Sequence, residues 1–200
     1  VHYKHDRQDP ASLSHPIVRS IFEDRLGNLW IGTRRGLNKL DRTTGRFLRF
    51  LHDPANPHSL SHDYVLSVHE DHSGVLWVGT MAGGVSALDV KTGRFVNYPI
   101  HVGEIGNEAH AGVRNLYEDK DGVLWLCTFD RGLLKLNPER TQFTRYSTDP
   151  ADPNSLPHDT VYSLFEDREG MMWVGTDNGV SRFPTGPLRF VNYQHSAGDP

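Results

Sequence analysis

Residues 165–179 read FEDREGMMWVGTDNG, and nearly the same string stands at 22–36 (FEDRLGNLWIGTRRG), 69–84 (HEDHSGVLWVGTMAGG) and 117–132 (YEDKDGVLWLCTFDRG). An internal repeat of this kind decides the architecture before any single residue is interpreted. The tryptophans fall at Trp30, Trp77, Trp125 and Trp173, and a second aromatic column falls at Phe47, Phe95, Phe143 and Phe190. Both columns step by 47 or 48 residues. A third column, Phe50, Tyr98, Tyr146 and Tyr193, follows three positions later, so four copies of one unit occupy the chain.

Working outward from that string, each unit contains four short apolar runs separated by turn signals. In the first they are VRSIFED, LWIGT, GLNKLD and FLRFL. Each has the length of a strand and none sustains a 3.6-residue period. The first turn, DRLG, returns as DHSG, DKDG and DREG. Asp at its start can accept hydrogen bonds from the N–H groups of its own turn, and Gly at its end accepts positive φ without a steric penalty. RTTGR and VKTGR place Gly where a second hairpin needs it. Pro- and Asp-rich connectors such as HDPANPHSLSHD and TDPADPNSLPHD then lead to the next unit. A repeated four-stranded antiparallel unit of this length predicts an all-β chain, a β-propeller of four-stranded blades. The blades are expected at about 11–53, 58–99, 107–147 and 154–195. The string recurs because every blade offers the same apolar surface to its neighbour.

Composition narrows the function. With 36% hydrophobic and 10% aromatic residues the chain can bury a core. A net charge of -4 with dispersed Lys and Arg supplies no basic stripe for phosphate backbones, so no nucleic acid partner is expected. One cysteine, Cys127, excludes a disulfide framework within the chain. No apolar run approaches the ~18 residues of a membrane span, and the opening VHYKHDRQDP does not read as a signal peptide.

The units resemble the two-component regulator propeller repeat, and the stretch VRSIFEDRLGNLWIGTRRGLNKLDRTTGRFLRF follows its pattern almost column for column. The resemblance implies the extracytoplasmic sensor part of a bacterial hybrid histidine kinase or diguanylate cyclase, possessing a propeller of about seven blades and, in several such proteins, sensing glycans. Its implied location is periplasmic and its implied partner an oligosaccharide or other small ligand. The Asp-x-x-Gly-x-x-Trp spacing is one residue longer than the sialidase Asp box. ALDVKTGRF differs from the quinoprotein repeat in having Phe95 where that repeat has Trp. Tyr3–Pro10 aligns with Tyr193–Pro200. The expectation is an excerpt of a longer array, a closed four-bladed ring being the alternative. Open blade faces would also permit self-association of two copies.

Candidate chemistry divides into repeated and variable columns. The pairs Glu23–Asp24, Glu70–Asp71, Glu118–Asp119 and Glu166–Asp167 recur identically. A catalytic site needs different residues in different roles, so these are expected to serve turns and strand pairing. His15, His62, His110 and His158 form a column at the start of each first strand. They could bind an anion or confer pH sensitivity, or help to close the connector. His69 replaces an aromatic and is expected to pack in the core. Function is otherwise sought where copies differ, between strands two and three: Arg34 and Arg35, Met81, then Phe129, Asp130 and Arg131, then Asp177 and Asn178. Arg and Asp can bond hydroxyls or carboxylates, and Phe129 or Met81 can lie on an apolar sugar face. His101, Glu104 and His110 match no metal-ligand spacing, and Cys127 reads as a small buried hydrophobe. No phosphate-cradling loop, zinc motif or nucleophile elbow occurs. The expectation is a non-enzymatic module without metal or cofactor. A propeller lyase or hydrolase using Arg34, Arg131 and Asp177, and a purely structural dimerisation module, are the alternatives.

Overall fold

The computed structural model describes residues 1–100, 112–184 and 189–194. Its strands run, in the first repeat, β1 (Val18–Glu23), β2 (Leu29–Thr33), β3 (Gly36–Asp41) and β4 (Arg46–Phe50). In the second they are β5 (Val65–Glu70), β6 (Leu76–Thr80), β7 (Val85–Asp89) and β8 (Arg94–Tyr98). The third holds β9 (Val113–Glu118), β10 (Leu124–Thr128), β11 (Leu133–Leu136) and β12 (Phe143–Tyr146). The fourth holds β13 (Val161–Glu166), β14 (Met171–Thr176), β15 (Gly179–Pro184) and β16 (Val191–Tyr193). Each repeat is one four-stranded sheet in sequential order, the meander expected of a blade.

Within a blade the second acid of the acidic pair closes the first hairpin. Asp71 Oδ1 accepts the N–H groups of Ser73 (3.0 Å) and Val75 (2.9 Å), and its Oδ2 accepts the indole N–H of Trp77 at 2.8 Å. The same 2.8 Å indole bond joins Trp30 to Asp24, Trp125 to Asp119 and Trp173 to Asp167. A fully buried indole N–H requires an acceptor, and the hairpin carboxylate six residues earlier supplies it. The turn glycines Gly27, Gly74, Gly122 and Gly170 sit at φ 76–84°, as the sequence requires. The third repeat lacks the second hairpin glycine, and there Arg140 takes φ 56° while Asn137 Oδ1 accepts the N–H groups of Thr141 and Gln142. Asn137 thus accepts turn N–H groups as Asp41 and Asp89 do in the first two repeats, and Arg140 takes the positive φ that Gly45 and Gly93 take there.

The sequence pattern does not reveal two further features. The pairing of first and second strands shifts register between Val18 and Ser20, Val65 and Ser67, and Val161 and Ser163, a β-bulge in the same column each time. The glycine after the Trp column is set by close approach: a Cβ at Gly79 would meet Ser67 Oγ and the Val113 carbonyl.

The chain divides into two compact units. Among the described residues, one holds 1–100 and 112–116 and the other holds 117–184 and 189–194. In the first unit, Trp30, Leu37, Phe22 and Phe50 of blade one pack against Leu60, Val65, Leu76, Val78, Leu88 and Phe95 of blade two. In the second, Trp125, Leu133, Tyr117 and Tyr146 pack against Leu156, Val161, Met172, Val174, Phe183 and Phe190 of blade four. Trp30 and Leu60 are fully buried, and truncating a tryptophan in such a layer costs about 3–5 kcal/mol. The aromatic columns meet edge-on across both layers, Phe50 on Phe95 at 5.9 Å and Tyr146 on Phe190 at 6.2 Å. The first acid of two of the pairs acts here. Glu70 Oε2 accepts the Arg25 N–H at 2.7 Å, and Glu166 Oε2 accepts the Lys120 N–H at 3.0 Å. One carboxylate thus closes its own turn while its neighbour grips the turn of the preceding blade.

Candidate functional site

In the first, second and fourth blades, one edge gathers the connector, the start of the first strand, the turn between strands two and three and the outermost strand. The connector holds itself together. The Asp53 N–H donates to Ser59 Oγ and that hydroxyl donates back to the Asp53 carbonyl, while Asp149 and Ser155 repeat the pair. Leu60 and Leu156, next in sequence, are then driven into the core. The connector also bonds the outermost strand: the Phe47, Phe95 and Phe190 N–H groups donate to the carbonyls of Ala11, His58 and Asn154. Asn97 Nδ2 and Asn192 Nδ2 donate to the Ser59 and Ser155 carbonyls.

The histidine column serves this connector. Nδ1 of His15, His62 and His158 each accepts a main-chain N–H two residues on, from Ile17, Tyr64 and Thr160, at 3.0 Å. The proton of the neutral ring therefore sits on Nε2. His110, together with the His101 and Glu104 considered above, lies outside the described residues. Burial of His62 disfavours its charge and holds its pKa below the usual 6.5, with Asp63 opposing and His52 reinforcing the shift. His69 is half-buried beside Phe22, ring centroids 6.2 Å apart, as the aromatic column implies.

The variable turns are shorter and better anchored than open loops. A threonine organises each: Thr33 Oγ1 accepts the Arg35 N–H and donates to the Gly36 carbonyl, and Thr176 Oγ1 does the same with Asn178 and Gly179. Arg34 is exposed, donates from Nε to Tyr64 Oη at 3.1 Å and lies over that ring, 5.3 Å from its centroid. The Arg35 side chain is exposed and lines a hollow with Arg49. Met81 is half-buried and its N–H donates to the Tyr64 carbonyl. In the third blade the Phe129 carbonyl accepts Thr160 Oγ1, Asp130 lies 3.8 Å from Arg131 Nε, and the Arg131 carbonyl accepts Arg145 Nε. In the fourth, Asp177 Oδ1 accepts Tyr162 Oη, its Oδ2 lies 3.9 Å from His158 Nδ1, and Asn178 Nδ2 donates to the Pro157 carbonyl. The structure thus joins His158 with Asp177 in one cluster and Arg34 with Tyr64 in another. Tyr64, Tyr162 and Arg49 also stand in columns of changing residue type, but at the first and fourth strands, outside the turns to which the sequence reading looked for variation.

Cys127 is wholly buried among Trp125, Leu133 and Val174, and burial pushes its thiol up to about 12. A nucleophilic cysteine has the reverse, a lowered pKa. Among the described residues no three His, Cys, Asp or Glu side chains are grouped to hold a metal ion, and no helix is long and apolar enough to cross a membrane.

Comparison with known proteins adds the family. The two component regulator propeller model matches residues 12–35, 59–82, 107–130 and 155–178, each spanning one blade's first two strands and the turn after them. No curated protein matches the sequence. Among solved structures, the chain is similar to the extracellular domain of the hybrid two component system BT3049 of B. thetaiotaomicron. The TM-score is 0.78 at 23% identity, over 96% of this chain and 25% of that one. The corresponding domain of BT4673 from the same organism matches with TM-score 0.73 at 24% identity, over 97% of this chain and 26% of that one. Virginiamycin B lyase from Staphylococcus aureus shares the fold at TM-score 0.64 and 12% identity, over 90% of this chain and 56% of its own. The chain therefore spans about a quarter of the length of the extracellular domains it resembles. Four matches of one repeat model, one on each four-stranded sheet, identify the chain as an array of two-component regulator propeller repeats forming part of a β-propeller.

Proposed function

We propose that the chain is a non-enzymatic, extracytoplasmic ligand-binding part of a bacterial signal-transduction receptor. The observation that carries this reading is the coincidence of four family matches with the fold of extracellular domains of two-component systems. The local geometry is compatible with it: the acidic pairs close turns and clasp blades, and the only thiol is buried. The ligand is an oligosaccharide or another small polar molecule, met by the variable turns and connectors. Ligand binding acts on signalling only through different affinities for two arrangements of the receptor. Self-association through blade faces is part of the same proposal, since pairing of receptor chains is one way to couple binding to output.

The reading frame that contains this chain provides the test. A membrane span followed by a kinase or cyclase domain is the expected result. A frame that ends after the propeller, with no span, would contradict the receptor reading.

A further inference from the structure

A cavity of about 360 Å3 in the first repeat is walled by His5, Arg7, Ser14, Arg35, Arg49 and Leu51. A second, about 340 Å3, lies in the second repeat, and its wall includes His52, Pro54, Ser61, Ala82, Asn97 and Pro99. These are the same six columns of the repeat, displaced by 47 residues for the first four and 48 for the last two. The fold therefore builds one hollow twice, between the connector, the turn after the second strand and the end of the outermost strand. What changes is the chemistry. Arg7, Arg35 and Arg49 in the first copy become Pro54, Ala82 and Asn97 in the second.

The charge of the first hollow is not neutralised from within. No carboxylate lines it. Arg49 is held by its connector, donating from Nε to the Ser12 carbonyl (2.8 Å) and from Nη2 to the Asp9 carbonyl and Ser12 Oγ (2.9 Å each). The arginine of the same column in the third repeat, Arg145, instead meets the Asp159 carboxylate at 3.2 Å. The side chains of Arg7 and Arg35 have neither a hydrogen bond nor an ion pair among the described residues. Of the adjacent acids, Asp9 pairs with Arg46, while Asp6 accepts the Gln8 N–H and Asp63 the His52 N–H through one oxygen each. Three arginines line one small space, and a bound anion offsets the repulsion among their charges. Their planar forks match carboxylate or sulfate oxygens. Leu51 adds an apolar wall, and the volume suits a small ligand.

We propose that this hollow is a binding site for an oxyanion-bearing small molecule, a carboxylate or a sulfate ester, held by Arg7, Arg35 and Arg49. The ligand class rests on the receptor reading for its biological purpose, but the binding itself does not. Isothermal titration of the full 200-residue chain at low salt uses digalacturonate as the carboxylate probe, a sulfated disaccharide as the sulfate probe and a neutral digalactoside as control. One or both anionic probes bind and the neutral one does not; which of them binds identifies the source of the oxyanion. Joint replacement of Arg7→Gln and Arg35→Gln weakens binding about tenfold or more with the thermal midpoint unchanged, whereas Arg42→Gln, in an exposed pair with Glu23, leaves binding intact. Equal binding of the neutral sugar, binding that survives the double substitution, or no binding of either anion at millimolar concentration would overturn the proposal. Such a failure leaves the receptor reading standing, and a reading frame without a membrane span leaves a positive titration standing.

Discussion

Asp71 is 2% exposed and terminates a hairpin, an indole and a serine hydroxyl at once. Asp71→Ala leaves the Trp77 N–H buried without its acceptor, and a loss of roughly 3 kcal/mol is expected. Urea unfolding followed by tryptophan fluorescence measures it. A change below about 0.5 kcal/mol, the usual range for a surface position, would deny the carboxylate its role. At Cys127, complete burial predicts no reaction with a thiol reagent in buffer and full reaction in denaturant. Rapid labelling of the native chain would contradict the packing. At His62 the sign follows from its lowered pKa. The unfolded ring takes up a proton more readily than the folded one, so stability is fully present above about pH 6.5. It declines as pH falls from there through the folded value. The urea midpoint should therefore drop between pH 7.5 and 5.5, and His62→Gln should flatten that step. An unchanged step in the variant would assign it to another group.

The turns and clasps are the elements in which sequence and structure are most easily compared. Hairpins were legible because Asp and Gly have one physical use each at those positions, and Gly27 and Asp24 meet it. The division of labour between Glu and Asp was not legible, since two adjacent carboxylates look alike in a string. Strand pleat points them to different partners. Glu166, its side chain 8% exposed, accepts both the N–H and the ammonium of Lys120. Glu166→Gln keeps an acceptor and should cost less than Glu166→Ala, for which about 1–2 kcal/mol is expected. Equal effects in denaturant titrations would refute the clasp. Acid should loosen the turns together. Thr43 and Thr44 hydroxyls hold the Asp41 carboxyl well below its usual range, the Thr92 hydroxyl and Lys91 N–H lower Asp89, and the Trp173 indole and Met171 N–H lower Asp167. Burial raises Asp24, and the bonds from Trp30 and Asn28 more than offset it. Each contributes stability that is present above the unfolded value near ~3.9 and lost as pH falls through the folded one. Circular dichroism should show a loss of stability beginning below about pH 4; constant stability to pH 2 would contradict these bonds.

For the whole molecule, the repeat announced the architecture because a 48-residue unit with four strands cannot bury both faces of its own sheet. The site was less legible. The turns between second and third strands stand where the sequence placed them, yet Arg34 bonds Tyr64 while Arg35 lines a cavity, a distinction that residue type does not make. That cavity appears only when connector, turn and outer strand are assembled, because its six columns are dispersed over 47 residues, from His5 to Leu51. In both units the principal apolar layer lies between blades, Trp30 against Leu60 and Phe95 in one, Trp125 against Val161 and Phe183 in the other. A blade is therefore half of a core. Urea titration of a peptide covering residues 58–99, followed by Trp77 emission and compared with the full chain, tests this most directly. The account predicts a cooperative transition for the full chain and none for the peptide, whose Trp77 should already emit as solvent-exposed in buffer; cooperative unfolding of the lone blade from a state with buried Trp77 would contradict it.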